Sequence, residues 1–150
     1  MESDAFDFRD SFIDNGQLNL KAVLDRFQVF IKEQYSDRDR EFLERNGRLI
    51  FLAFLKPIIN GKGFDFKEVQ ISQEKRLDVV ITYLEQKFIV ELKIWRGEDY
   101  HKQGLKQLAE YLESQNLDQG YLLSFNFNQN KEYKEQELEV DDKKIFAYWV

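Results

Sequence analysis

Three ionisable residues stand inside runs that are otherwise apolar. Asp78 interrupts Leu77-Asp78-Val79-Val80-Ile81, and Glu91 and Lys93 interrupt Phe88-Ile89-Val90-Glu91-Leu92-Lys93-Ile94. Burying an unpaired charge is expensive, so three such groups need a common explanation. A strand's period of two puts Glu91 and Lys93 on one face, and a hairpin can bring Asp78 beside them. Paired carboxylates are hard oxygen donors suited to Mg²⁺ or Mn²⁺. A metal held there would stabilise negative charge on a phosphoryl transition state and activate water. Lys93 would position that water and offset developing charge. The competing explanation is a partly buried ion pair between Lys93 and one carboxylate, or a solvated sheet edge.

The elements that must hold these residues are legible from periodicity. Leu20, Val23, Leu24, Phe27, Phe30 and Ile31 recur at helical spacing, which predicts a helix over 18–35 with Asn19 as a cap. A second helix is expected over 37–58, closed by Pro57 and Asn60-Gly61. Gly47 lies inside it at a cost of about 1 kcal/mol, which a close contact with a neighbouring element would justify. After Gly63 the period becomes that of strands, at 66–73, 76–84 and 88–95, with a turn at 85–87. Both faces of the second and third strands are apolar, so these two are expected to be central and covered on both sides. Gly97-Glu98-Asp99 starts a third helix that runs to about Ser114, followed by a strand at 121–128 and a hairpin built from 135–140 and 144–150. This order fits an α/β layered domain with a mixed sheet, the third helix acting as a crossover. Residues 1–17 read as a lead-in or linker, and 18–150 as one domain with an N-terminal helical extension.

Composition narrows the function. The chain has 150 residues, enough for one complete core. Lys and Arg number 22 against 28 Asp and Glu, a net charge of −6. An acidic chain binds nucleic acid poorly by bulk charge, so any phosphate-facing patch must be local. Cysteine is absent and His101 is the one histidine, which excludes disulfides, thiolate chemistry and His-rich zinc sites. Met1-Glu2-Ser3-Asp4 lacks a signal peptide's basic and apolar regions, and the apolar run Leu49–Leu55 is too short to span a bilayer. The expectation is a cytoplasmic protein with no membrane partner.

Arg76-Leu77-Asp78, a gap of 12 residues, then Glu91-Leu92-Lys93 resembles the signature of the PD-(D/E)XK nuclease superfamily. The order of elements over about 40–128 resembles that superfamily's α-β-β-β-α-β core, a restriction-endonuclease-like mixed central sheet flanked by helices. The strings Glu44-Arg45-Asn46-Gly47-Arg48 and Glu91-Leu92-Lys93-Ile94-Trp95-Arg96-Gly97 look like a bacterial branch often found at the C-terminus of AAA-ATPase-like proteins. Leu77 stands where the superfamily usually has proline.

The resemblance implies Asp78 and Glu91 as ligands of Mg or Mn and Lys93 as the motif lysine. It implies a further metal-binding glutamate on the first core helix, for which Glu44 is preferred over Glu41. Gln107, in Gln107-Leu108-Ala109-Glu110-Tyr111, matches the supporting helix and would bond a water, a phosphate or the Lys93 region. Arg76, Arg96, Lys102 and Gln103 are candidate phosphate contacts, with Lys75 beside them. His101 is expected on the helix surface, Trp95 and Tyr111 in packing. The implied function is metal-dependent hydrolysis of phosphodiester bonds in nucleic acid, DNA before RNA, with a fused or associated ATPase domain as partner. The rival functions are a catalytically inactive nuclease-fold binding module in a larger ATPase-containing protein, and a structural domain whose charges form an ion-paired network.

Overall fold

A computed structural model describes residues 12–14, 17–60, 70–72, 77–83, 85–128 and 131–150. The backbone forms short strands β1 (Ile13–Asp14) and β2 (Gln17–Leu18), helices α1 (Leu20–Gln34) and α2 (Arg40–Asn60), and strands β3 (Gln70–Ser72), β4 (Leu77–Tyr83) and β5 (Gln86–Ile94). Helix α3 (Glu98–Ser114) and strands β6 (Gln119–Phe125), β7 (Lys134–Val140) and β8 (Lys143–Trp149) follow.

The main sheet has the order β3-β4-β5-β6-β8-β7. Strand β4 is antiparallel to β3 and β5, β6 is parallel to β5 and β8, and β7 is antiparallel to β8. The parallel β5–β6 pair requires a crossover, which α3 supplies. The result is the mixed sheet flanked by helices expected of a restriction-endonuclease-like α/β domain.

Each face of the sheet carries its own core. Phe88, Val90 and Leu92 of β5 pack on one side with Leu24, Phe27 and Ile31 of α1 and Leu43, Phe51 and Leu55 of α2. Ile89 packs on the other side with Leu105, Leu108 and Leu112 of α3. This two-sided burial explains why β5 reads as nearly continuous apolar sequence. Asn19 caps α1 as expected, its Oδ1 accepting the Ala22 N–H at 3.1 Å.

Several boundaries differ from the sequence expectation. Pro57 does not close α2, which continues to Asn60. Proline removes the donor that would bond the Ala53 carbonyl, yet α2 runs on through it for three more residues. Strand β5 begins at Gln86, paired with Tyr83, because the β4–β5 turn is tighter than the expected one at 85–87. The expected first strand is described only at 70–72; its remainder, like Gly61, Lys62, Gly63, Lys75 and Arg76, lies outside the described residues.

Most of the expected lead-in also lies outside them, but its end joins the core. Phe12 is buried in the α1–α2 core, and the Leu18 N–H donates to Gln86 Oε1 at 2.8 Å. Asp141 and Asp142 turn β7 into β8 with φ of 50° and 67°, the left-handed pair a two-residue hairpin demands. Among the described residues, no helix is long and apolar enough to cross a membrane.

Candidate active site

The antiparallel register sets Asp78 directly opposite Glu91. Directly opposed residues in such a pair share a face of the sheet. Asp78 also shares strand parity with Val80, which belongs to the core beneath α3. Glu91 is 3% exposed and Lys93, two residues further along β5, is 6% exposed. Two carboxylate-bearing positions and a buried lysine therefore converge on the α3 side of the β4–β5 pair.

Helix α3 is shaped around Lys93. The lysine ammonium lies 4.2 Å from the centre of the Tyr100 ring, a cation–π arrangement. One turn later comes Gly104, where an added Cβ would lie 2.8 Å from Lys93 Cε and 3.0 Å from Cδ. The glycine makes room for the lysine stem. On the neighbouring strand Ser124, 2% exposed, stands in register with Lys93. Gly97, at φ of 98°, permits the turn from β5 into α3 that an L-residue would resist. Sequence reasoning missed Tyr100, Gly104 and Ser124. A mid-helix glycine and a serine within the apolar run of β6 were the signals that could have found them.

The remaining predicted residues are more dispersed. Glu44 is exposed on α2 and lines a cleft of about 290 Å³ together with Leu92, Lys93 and Ile94. Glu41 is exposed on the same helix and pairs with Arg45 at 4.0 Å. Gln107 and Gln103 are exposed on α3, Lys102 is exposed beside them, and Arg96 is exposed between β5 and α3. Gly47 justifies its place in α2 by close approach, an added Cβ lying 3.0 Å from Phe125 Cε1.

His101 is not on the helix surface. It is 6% exposed and packs between Trp149, at 4.9 Å between ring centres, and Trp95, at 5.3 Å. Its position four residues before Leu105 puts it on the sheet-facing stripe of α3. Burial lowers its pKa from the usual 6.5, with Lys93 and Lys134 acting in the same direction and Glu98 opposing. A neutral imidazole suits packing between two indoles.

The donor set fits a hard divalent cation. Among the described residues no group of three or more His, Cys, Asp or Glu side chains gathers. Mg²⁺ is commonly held by one or two carboxylates, with water and substrate phosphate completing its shell. The opposed positions of Asp78 and Glu91 match that requirement.

Residues 63–136 match the family model of the PD-(D/E)XK nuclease superfamily. The matched stretch contains Asp78, Glu91, Lys93 and Gln107; Glu44 precedes it. No curated protein and no solved structure matches the chain.

Proposed function

Because residues 63–136 match the family model of the PD-(D/E)XK nuclease superfamily, we propose that the chain is a metal-dependent nuclease that hydrolyses phosphodiester bonds, with DNA as its substrate. Asp78 and Glu91 are the ligands for Mg or Mn; Glu44, on α2 across the sheet, is the further ligand that the family resemblance implies. Once bound, the metal would activate water and neutralise charge on the phosphoryl group. Lys93 orients the attacking water and offsets negative charge as it develops. Tyr100 and Gly104 hold the lysine stem, so that little rotamer freedom remains to be lost in the reaction. Gln107 bonds the water or a phosphate oxygen, and Arg76, Arg96, Lys102 and Gln103 contact the flanking phosphates.

The observation that carries this reading is the register of Asp78 opposite Glu91, with Lys93 on the same face beneath α3. A buried acid and a buried lysine at that spacing are a poor use of core volume unless they do chemistry. The net charge of −6 favours delivery of substrate by a fused or associated ATPase domain over capture by bulk charge.

The test is to incubate the protein with single-stranded, duplex and branched DNA, and with RNA, in Mg²⁺ or Mn²⁺, beside Asp78→Ala and Lys93→Ala. The expected result is metal-dependent cleavage by the wild type and loss of it in both variants. Equal cleavage by all three proteins would identify a contaminant and overturn the reading.

A further inference from the structure

On the α2 side of the sheet, the 290 Å³ cleft beside Glu44 joins a second one of about 70 Å³. They share Leu43 and Phe127 in their walls. Besides Lys93, whose ammonium faces Tyr100 of α3, four cations line the pair: Arg45 and Arg48 in the larger cleft, Arg40 and Lys131 in the smaller. Glu44 is the acid among the lining residues. In a chain of net charge −6, four cations against one acid mark a local field suited to an anion.

Arg48 is the most informative of these residues. Its Nε and Nη2 are shielded from water, and among the described residues they have no hydrogen-bond partner. Guanidinium donors held in this state cost free energy unless a ligand completes them, and the planar fork of arginine matches phosphate oxygens. Phe127, half-buried at the junction of the clefts, has its ring nearly parallel to that of Phe125, at 14° and 6.5 Å. Cations that follow a backbone, with an aromatic ring between them, are the ingredients of single-strand binding. The volume is that of a small-ligand site, not of a groove that admits a duplex.

We propose that these joined clefts form a track for single-stranded nucleic acid, in which Arg48 holds a backbone phosphate and Phe127 supports a base. The inner wall of the track is the end of β5 that carries Lys93; the lysine side chain leaves that strand on the opposite, α3 side, so a strand reaches the candidate catalytic centre by turning over this end of β5. The proposal builds on the nuclease reading by naming its substrate class as a single strand or a frayed end.

Fluorescence anisotropy in EDTA, where nothing is cut, tests the track directly. The probes are a labelled oligo-dT, an oligo-U of equal length and a duplex of equal length. The wild type is expected to bind the strands about tenfold more tightly than the duplex, and Phe127→Ala to weaken strand binding by about tenfold. Arg48→Gln is expected to weaken it similarly, with Arg48→Lys recovering part of the loss. Thermal melting of each variant separates misfolding from lost contacts, and exposed Arg45→Gln supplies a second test where the fold is not at risk. Equal affinity for strand and duplex overturns the proposal, as does unchanged strand binding in folded Arg48→Gln. Cleavage of the same probes in Mn²⁺ is scored separately. Arg48-dependent binding without cleavage keeps the track and removes the nuclease. Cleavage of duplex with no single-strand preference keeps the nuclease and removes the track.

Discussion

Lys93 and Lys143 are equally buried, at 6% and 7% exposure, yet their surroundings have little in common. Lys143, at the start of β8, reaches the carboxylates of Glu113 at 2.8 Å and Asp118 at 3.9 Å, both of them exposed. Its stem is covered while its charge meets partners at the surface, as long cationic side chains commonly do. Lys93 lies in mid-sheet parity with Glu91, beneath an aromatic ring and against a glycine that clears space for its stem. The first arrangement anchors the end of a helix and a loop to a strand. The second fixes an ammonium at a set position next to two carboxylate-bearing strand positions. Burial alone therefore does not distinguish the two lysines; the elements that yield space to Lys93 do.

Exchanging each lysine for methionine, which preserves volume, would break this comparison most sharply. Lys93→Met is expected to lower the rate of phosphodiester cleavage about 10²- to 10³-fold, the loss usual for one electrostatic stabiliser in a closed site. Lys143→Met is expected to leave the rate within about twofold, since truncating a pair at the surface alters little beyond local packing. Single-turnover kinetics on one DNA substrate, with circular dichroism to verify folding, measures both. If Lys143→Met loses as much activity as Lys93→Met, the distinction is wrong.

A smaller effect is expected at Gly104. In most helix interiors Gly→Ala stabilises by about 1 kcal/mol. Here the added Cβ would lie 2.8 Å from Lys93 Cε, so the lysine must move. Gly104→Ala is expected to lose that gain in thermal stability and to lower kcat by about 10- to 100-fold, with KM nearly unchanged, because a displaced catalytic group affects chemistry more than binding. A variant that melts higher and cleaves at the wild-type rate would show that the stem of Lys93 has no need of the glycine.

The half of this comparison that concerns Lys93 was largely legible in the sequence. Period-two alternation located β4 and β5, and charges inside apolar strands pointed to Asp78, Glu91 and Lys93. The crossover helix followed from the break at Gly97. What escaped depended on three-dimensional packing. His101 was assigned to the surface because histidine is commonly exposed, although its four-residue spacing from Leu105 places it on the sheet-facing stripe. Phe12 was read as part of a polar lead-in, since a lone aromatic has no periodicity to declare its burial. Arg48 stood within a distinctive string, but its meaning depends on a cleft built from α2, β5 and β6. The mixed-charge run 131–144 reads as a solvated hairpin, whereas Lys143 is buried because β8 packs against α3.

The smallest effect lies in the pair made by Lys143. The hydrogen bond from Lys143 holds the Glu113 carboxyl below its usual 4.5. A carboxylate with a lowered folded-state pKa contributes stability that is present above the unfolded value and is lost as pH falls through the folded one. Glu113→Gln is therefore expected to melt slightly below the wild type at neutral pH. The gap should narrow as pH drops below 4.5 and shrink on addition of salt, because Glu113 is open to solvent. Cleavage at neutral pH should be unchanged. Thermal melting across that range, at low and high salt, measures the gap. If it persists in full well below 4.5, the contribution of Glu113 does not come from its charge, and the ionic half of the comparison between the two lysines fails even though Lys93 keeps its place.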